Sequence, residues 1–470
     1  METSFLLSTL SFFTLQGGRP GIYIAPFLLK EGWTEESIGV LLLCSGIFRI
    51  LVQYIVGFFI DSYPRKQKLL ILGNCMVSIP CLLLYNHRSF ITTMILLCLI
   101  NVGEAINYPA LYGITRGMTE AHQWEQVVSE NETANHAGNS LFAFLAGAFS
   151  LLQADTGCFL IIVAFMGLTS SLVIIFYVPD SLINNDAASG IIRKAKADDI
   201  MNTSLSNLYK DSRILILLSV ICLFHLANAA MLPLISQKLS IDNYDDDGDG
   251  GVLYTSLCIL LAQVFMYLSS SNHGWLLKKL SSVESSVLLV ALSCIPIRGI
   301  IISSLLFQTI SGTITTSKLY ALVSTQILDG IAGGLIGVVS VVIMQTYASD
   351  YVGRWSFLLS NIKVVEGVAA ALSNFIGEML AFHFNYLTSF VILSIIGVIP
   401  CVLCYFYMIQ KYQGHYNGEQ IKGDEIVDVN KNDINNINIT HKSVVTEERQ
   451  DWIRNPMLSE NHRMYIDNRQ

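Results

Sequence analysis

The sequence predicts an all-α integral membrane protein with twelve transmembrane helices in two pseudo-symmetric six-helix bundles. Of its 470 residues, 52% are hydrophobic and only 14% are charged, whereas roughly a quarter of the residues of a soluble domain carry charge. The apolar residues are gathered in runs of about 18 or more, the length at which a helix crosses a bilayer. The longest polar interruption divides these runs into six and six.

The apolar runs give the approximate bounds of each predicted span. Because they are continuously apolar and do not alternate in polarity, they favour helices over the strands of a membrane barrel. The spans lie near residues 4–29, 36–60, 68–86, 89–115, 133–154, 157–178, 213–237, 252–271, 284–307, 318–346, 355–381 and 386–410.

The same pattern predicts the domain organisation. Residues 1–178 form the first six-helix bundle, 179–212 a cytoplasmic central loop and 213–410 the second bundle. Residues 411–470 are polar and rich in asparagine, a composition typical of a disordered tail. Two parallel halves of this kind are found in one class of secondary transporter, with the substrate site at their interface.

Lysine and arginine are concentrated in the loops on one side of the predicted membrane. The positive-inside rule makes that side cytoplasmic, so we expect a multi-pass protein with both termini in the cytoplasm. The basic residues on this side are Arg65, Lys66, Lys68, Arg116, Arg193, Lys194, Lys196, Lys210, Arg213, Lys278, Lys279 and Arg354.

Several function classes are disfavoured. The net charge is −8 and no basic patch indicates nucleic acid as a partner. The chain has no nucleotide-binding signature, no metal-ligand cluster and no nucleophile with a nearby base. We therefore expect no catalytic residues, no cofactor and no metal, and the expected partners are the lipid bilayer, a small-molecule substrate and protons.

Two charged residues lie deep within the first half. Arg19 is midway along the first span and Glu104 is well inside the fourth. A charge at this depth costs about 3 kcal/mol and usually faces a partner or water, and Arg19 is the nearest obvious counter-charge for Glu104. Three interpretations stay open: a pair that loads and releases a proton, a static pair that joins two helices, or an Arg19 that binds an anionic substrate.

The seventh span carries a second polar candidate. His225 can exchange protons near neutral pH, and Asn228 follows one turn later. The pair is a candidate for proton transfer or substrate binding, although a lone histidine in an apolar helix is more often a packing residue. His136 in the fifth span and Gln263 in the eighth are further candidates of the same kind.

Two charge pairs are expected in the second half. At about 1.5 Å per residue, Arg298 in the ninth span and Asp329 in the tenth lie at nearly matching depths. They predict an ion pair with either a structural or a transport role. Lys363 and Glu366 are spaced i,i+3 on the eleventh span and should satisfy one another.

The end of the second span carries a recognisable motif. Gly57, Asp61 four residues on, and the basic Arg65 and Lys66 resemble the loop between helices 2 and 3 of the major facilitator superfamily. The resemblance implies a gate: Asp61 would hold the two halves closed on the cytoplasmic side by meeting the start of helix 11, near Arg354. Gly57 would allow the helices to approach closely.

The resemblance covers residues 5–410. The stretches 135–139, 296–299 and 328–334 are also similar to bacterial permeases of that superfamily, many of them efflux carriers. It implies a carrier whose cavity is lined by helices 1, 4, 7 and 10, and we expect proton-coupled efflux of amphiphilic compounds by alternating access. Proton-coupled uptake of a polar or anionic metabolite, and a non-transporting receptor or scaffold, are the alternatives, because this fold serves many substrates.

Overall fold

A computed structural model describes residues 3–15, 24, 27–28, 31–86, 89–152, 157–190, 208–242, 250–280, 283–307 and 316–410. Among these residues all regular structure is helical, and none forms a strand. The predicted tail at 411–470 lies outside them, as does residue 19.

Among the described residues before 179, six longer helices are present. They are α1 (Thr3–Leu15), α2 (Glu35–Ser62), α3 (Lys66–Asn86), α4 (Phe90–Met118), α5 (Trp124–Leu151) and α6 (Cys158–Tyr177). Short helical turns follow at Asp180–Leu182 and Asn185–Ala188.

The second part of the chain contains nine helices in its described residues. They are α7 (Ser212–Asn228), α8 (Met231–Asp242), α9 (Gly250–Ser271), α10 (His273–Lys279), α11 (Glu284–Phe307), α12 (Thr316–Ser324), α13 (Gln326–Ala348), α14 (Trp355–His383) and α15 (Tyr386–Leu403). A π-helical segment, Cys404–Gln410, continues from α15.

Nine helical stretches within the described residues are long and apolar enough to cross a membrane. Two shorter apolar helices, Thr3–Leu15 and Thr255–Ser271, fall in other predicted spans, whereas the count of twelve stays a prediction. The nine are Ser37–Ser62, Lys66–Asn86, Phe90–Met118, Cys158–Tyr177, Ser212–Leu239, Glu284–Phe307, Ser317–Ala348, Trp355–His383 and Tyr386–Met408.

Polar side chains determine where several of these helices begin. Thr34, Ser89, Asp211 and Asn385 precede α2, α4, α7 and α15, and each accepts a backbone N–H from the first turn of its helix. Such caps satisfy donors that have no partner within the helix.

The predicted seventh span is interrupted between α7 and α8. Pro233 has no N–H to donate to the preceding turn, which disfavours a continuous helix there. The N–H of Ala230 instead donates to Ser373 Oγ of α14, 3.0 Å away. The interruption is therefore stabilised by a neighbouring helix.

Helix contacts fall mainly within two groups. Before residue 178, α3 packs on α4 and α6, α2 on α4, and α1 on α5 and α6. After residue 212, α9 and α11 pack on α13, α11 on α15, and α7 on α14 and α15. The most extensive contacts between the groups are those of α5 with α9 and of α2 with α14.

The contact between α3 and α4 depends on a glycine. A Cβ atom at Gly103 would lie 2.6 Å from the carbonyl oxygen of Gly73 and 2.8 Å from Val77 Cγ2. Backbone cannot yield as a flexible side chain does, so any larger residue at position 103 forces the helices apart.

We expect Gly103→Ala to lower the melting temperature of the protein in detergent, because overpacking a close contact costs about 1–3 kcal/mol. Gly46→Ala is the matched control, since a Cβ on this α2 glycine meets nothing within 4 Å. Equal melting temperatures for the two variants would contradict this account of the contact.

Candidate functional site

A carboxylate at the end of α2 binds the beginning of α14. Asp61 accepts the backbone N–H of Ser356 at 2.7 Å and that of Phe357 at 2.9 Å. N–H groups in the first turn of a helix have no partner within that helix, and the helix dipole favours a negative charge there. Asp61 is 8% exposed, so the contact is largely shielded from water.

The same two helices approach most closely at Gly57. A Cβ atom there would overlap the side chain of Ser360 and lie 3.2 Å from the Cα of Phe357. Gln53, one turn earlier on α2, donates to Ser360 Oγ at 3.3 Å. A larger residue at position 57 therefore requires α14 to move.

The basic residues that follow Asp61 make other contacts. Lys66 is fully buried, and its ammonium group donates to the backbone carbonyl of Ile60 in the last turn of α2. A cation is favourable at this negative end of a helix. Arg65 lies at the surface, with its Nε 3.9 Å from the carboxylate of Asp180.

Aromatic rings and arginines surround the start of α14. The guanidinium of Arg354 lies 4.9 Å from the ring centroid of Phe58. That of Arg116 lies 4.8 Å over the ring of Trp355, and Trp355 meets Trp124 edge to face at 5.5 Å. Arg116, expected as a loop charge, is a buried residue in the last turn of α4.

Glu104 in α4 forms an ion pair with Arg49 in α2, with 2.9 Å between Arg49 Nη1 and Glu104 Oε2. The Glu104 side chain is 7% exposed and that of Arg49 is 42% exposed. We expected Arg19 as the counter-charge of Glu104. Arg19 lies outside the described residues, so that pairing stays a prediction, and the sequence analysis overlooked Arg49.

Arg49 could have been found by the rule that selected Arg19. It lies inside the apolar run 36–60, where a charge is costly unless it is paired or hydrated. The sequence does not show which spans are neighbours, and α2 packs beside α4.

A second buried carboxylate lies between α4, α5 and α9. Tyr112 donates its hydroxyl to Glu132, and Asn135 donates to the same carboxylate at 3.1 Å. His136 Nε2 lies 3.8 Å from Glu132, and His136 Nδ1 lies 2.9 Å from the amide oxygen of Gln263. The structure thus joins the two candidates His136 and Gln263 through a direct contact.

Glu132 was missed because the predicted fifth span began near residue 133. In the structure α5 begins at Trp124, and Glu132 is an interior helical residue that is 4% exposed. The signal was the spacing of polar residues at 132, 135, 136 and 139, which places them on one helix face.

His225 belongs to a cluster between α4, α7 and α14. Its Nε2 lies 3.8 Å from Glu366 Oε1, and Lys363 pairs with Glu366 at 2.8 Å, the i,i+3 pair expected from the sequence. The ammonium of Lys363 also lies 4.2 Å from the ring centroid of Tyr108. Each of the three charged or titratable side chains is about one-fifth to one-quarter exposed.

Arg298 and Asp329 meet in a buried network that joins α7, α11 and α13. Arg298 Nη1 donates to Asp329 at 3.0 Å and to Asn228 at 2.7 Å, and Nη2 donates to Gln326 at 2.8 Å. The Asn228 amide donates to Asp329 at 2.7 Å. Arg298 is fully buried. Asn228, expected beside His225 as a substrate-binding group, instead has both ends of its amide bound in this network.

A further ion cluster lies just before α7. Asp211 accepts from Arg213 at 2.7 Å and from the hydroxyl of Tyr351 at 3.0 Å, and Arg213 also reaches Asp350 at 2.8 Å. The hydrogen bonds from Arg213, followed by that from Tyr351, lower the pKa of Asp211 to about 2. Burial, together with this carboxylate, raises the pKa of Tyr351 to about 12. The cluster joins the segment before α7 to the turn before α14.

Long apolar helices that carry buried ion pairs define a multi-pass membrane protein of the transporter class. The chain matches the family model described as Major Facilitator Superfamily over residues 4–306. It belongs to the major facilitator superfamily, as the motif at residues 57–66 implied.

Two relatives support the same assignment. The chain is 26% identical over 390 residues to an uncharacterized MFS-type transporter of Mycobacterium tuberculosis strain CDC 1551 / Oshkosh, an alignment that covers 81% of this chain and 87% of the relative. It has the same identity and coverage with an uncharacterized MFS-type transporter of strain ATCC 25618 / H37Rv.

We expect the Arg298–Asp329 pair to show strong coupling in a double-mutant cycle. Arg298→Met or Asp329→Leu alone leaves the other charge buried without its partner, which costs about 3–5 kcal/mol. The double variant leaves no uncompensated charge and should lose less than the sum of the two. The melting temperatures of the three variants in detergent measure this, and additive losses would contradict an energetic coupling between the residues.

Proposed function

We propose that this protein is a secondary active transporter that exports small amphiphilic compounds by proton-coupled alternating access between two six-helix bundles, residues 1–178 and 213–410. The observation that carries the proposed coupling is the ion pair of Glu104 with Arg49. The two termini are cytoplasmic in this proposal, as the distribution of basic residues predicts.

The pattern of helix contacts supports a two-bundle arrangement. Most contacts lie within each group of helices, and the largest contacts between groups are α2 with α14 and α5 with α9. In the predicted order of spans these are the second with the eleventh and the fifth with the eighth. Exchanging the two halves converts one contact into the other, as expected for repeats related by a pseudo-two-fold axis.

The proposed gate is the contact of Asp61 with the first turn of α14. The interaction joins a side chain to backbone N–H groups, and water can replace both partners when the helices part. It therefore stabilises the closed cytoplasmic side, and it can be broken and formed again in each transport cycle. Gly57 supports the same closure, since it lets α2 lie against α14 near Ser360.

The proposed coupling depends on the unequal exposure of the Arg49–Glu104 pair. Arg49 is 42% exposed and can be hydrated, whereas Glu104 is 7% exposed and largely shielded from water. A buried carboxylate that loses a cation favours its protonated, neutral form. Movement of α2 relative to α4 would thus load a proton on Glu104 and release it when the pair reforms. Arg19 stays the predicted partner from the first span.

An amphiphilic substrate is supported by the surface between α4, α7 and α14. Tyr108 is partly exposed, and the ammonium of Lys363 lies 4.2 Å from its ring centroid. The ring of Tyr112, with its centroid 4.8 Å from that of Tyr108, is fully buried and supports the Tyr108 ring from the protein side. Sites for small molecules commonly combine such apolar area with a few polar groups. The partly exposed Lys363 and His225 favour the second candidate, uptake of a polar or anionic metabolite.

We expect Asp61→Asn to reduce transport about tenfold or more while protein abundance changes little. A hydrogen bond to a charged group contributes about 1.5–3 kcal/mol, and the loss falls on the closed cytoplasmic state. Counterflow in proteoliposomes, with a panel of amphiphilic drugs and polar metabolites, measures it. Asp180→Asn is the control, because Asp180 is an exposed carboxylate outside this contact. Normal flux in Asp61→Asn would disprove the gate.

We expect Glu104→Gln to abolish accumulation driven by a proton gradient but to preserve substrate exchange at equal concentrations, which moves no net proton. Arg49→Gln and Arg19→Ala should impair both modes. Glu378→Gln, which removes a carboxylate bound to Gln237 on α8, should impair neither. A Glu104→Gln protein that still concentrates substrate would place the proton site elsewhere, with Glu132 the next residue to test. Absence of flux in every variant and in the unmodified protein would favour the receptor or scaffold.

A further inference from the structure

A histidine and two glutamates from three separate helices meet at the edge of the α5–α9 contact. Glu125 is in the first turn of α5, His273 is the first residue of α10 and Glu284 is the first residue of α11. His273 Nε2 lies 3.0 Å from Glu284 Oε2, and His273 Nδ1 lies 3.7 Å from Glu125 Oε1. One ligating atom from each residue lies within 4.8 Å of the others.

The histidine is buried but incompletely satisfied. Its side chain is 0% exposed, yet Nδ1 makes no hydrogen bond within the described structure, and neither does Glu284 Oε1. A buried polar atom without a hydrogen bond costs about 1–3 kcal/mol. Two such atoms in one cluster are available to bind a ligand.

We propose that Glu125, His273 and Glu284 bind a divalent cation with the coordination chemistry of Zn²⁺. Three protein ligands of the nitrogen and carboxylate type, with a fourth position for water, suit this ion, whereas Mg²⁺ and Ca²⁺ prefer oxygen ligands alone. No metal was expected from the sequence. The three residues are far apart in the chain and form no motif with the spacing of metal ligands.

Charge supports a divalent ion at this site. With neutral imidazole, the two carboxylates carry two negative charges beside a fully buried ring. A divalent cation neutralises both, whereas a proton on His273 neutralises one. Lys278, the cation that acts on Glu125, is exposed, and water and salt screen an exposed charge strongly.

The geometry requires little adjustment. Ligands about 2.0–2.2 Å from a common ion lie roughly as far apart as His273 Nε2 and Glu284 Oε2 already do. Glu125, 42% exposed, is free to rotate toward the ion. With Nε2 on the ion, Nδ1 can donate to the oxygen of Glu125 that does not bind the ion, as the second nitrogen of metal-bound histidines usually donates to a carboxylate.

The framework around the site is held by direct contacts. Ser129, one turn after Glu125 on α5, donates its hydroxyl to the carbonyl oxygen of Ser270 near the end of α9, 2.6 Å away. A bound ion would add a second cross-link nearby, between α5 and the two helices that follow α9. If α5 separates from these helices during transport, the ion would oppose the separation. This last consequence rests on the proposed function, whereas the site itself does not.

The test uses the purified full-length protein in detergent. A chelator first removes bound metal, and Zn²⁺ is then added and the excess removed before binding is measured. We expect one Zn²⁺ per chain by elemental analysis and a saturable rise in melting temperature with added Zn²⁺, and a smaller or no rise with Mg²⁺. Glu125→Gln and Glu284→Gln should each weaken Zn²⁺ binding about tenfold or more. Glu125 is the safer position for folding, because its side chain is partly exposed.

His122→Ala is the matched control. His122 lies 3.3 Å from Glu120 and both are exposed, so this nearby His–Glu pair lacks the buried setting and should contribute nothing to binding. The proposal is overturned if Zn²⁺ neither binds nor stabilises, or if Glu125→Gln and Glu284→Gln bind it as the unmodified chain does. Stabilisation by mild acid without any effect of Zn²⁺ would also overturn it and would assign a proton to His273. None of these measurements requires transport, so a failed proposed function leaves the result interpretable.

Discussion

The structure depends on one constraint: a charge placed among apolar helices must meet a partner. Arg298 is the clearest case, since it is fully buried and reaches three acceptors on two neighbouring helices. The network fixes α7, α11 and α13 relative to one another more specifically than apolar packing can, because interactions between lipid-like side chains have little directional preference. The Arg49–Glu104 pair relates α2 to α4 in the same manner. The two pairs differ in exposure. The buried Arg298–Asp329 pair favours a static role, whereas the exposed fraction of Arg49, 42%, permits rearrangement of its pair with Glu104.

Two chemically different contacts hold the halves of the chain together at related positions. At the end of α2, the carboxylate of Asp61 meets backbone N–H groups of α14. Near the end of α9, the imidazole of His273 lies near a carboxylate in the first turn of α5. The predicted repeat relates these places, yet the carboxylate lies at the end of the earlier helix in the first contact and in the first turn of the later helix in the second. The loop of the second half, residues 271–279, carries the basic pair Lys278 and Lys279 but no aspartate, and His273 lies in the corresponding place. Membership of the superfamily therefore does not determine every contact, and the contact at His273 is a feature of this chain's own sequence.

Hydropathy predicted most helix positions because the bilayer requires long apolar stretches, and α2, α3 and α4 lie within a few residues of their predicted bounds. It failed at α5, whose polar residues face protein and not lipid, so its first turns read as a loop. Depth along each span predicted that Arg298 and Asp329 can meet, because the rise per residue of a helix is fixed. Depth cannot tell which spans are neighbours, and for that reason Arg49 was overlooked. The partners of Asn228, Asp329 and Arg298, could not be predicted, because its position in the sequence does not say which side chains its amide meets.

The close contact at Gly57 limits the direction in which α2 and α14 can move. The side chain of Ser360 fills the space that a Cβ atom of residue 57 would occupy, so the two helices interlock at this point. Sliding along their common axis would drive Ser360 into the flanking residues of α2, and packed interfaces of this kind change between discrete arrangements and not by gradual deformation. Parting the helices sideways meets no such obstacle. The contact therefore opposes a shear motion between α2 and α14 and favours a hinge-like separation of the two helices.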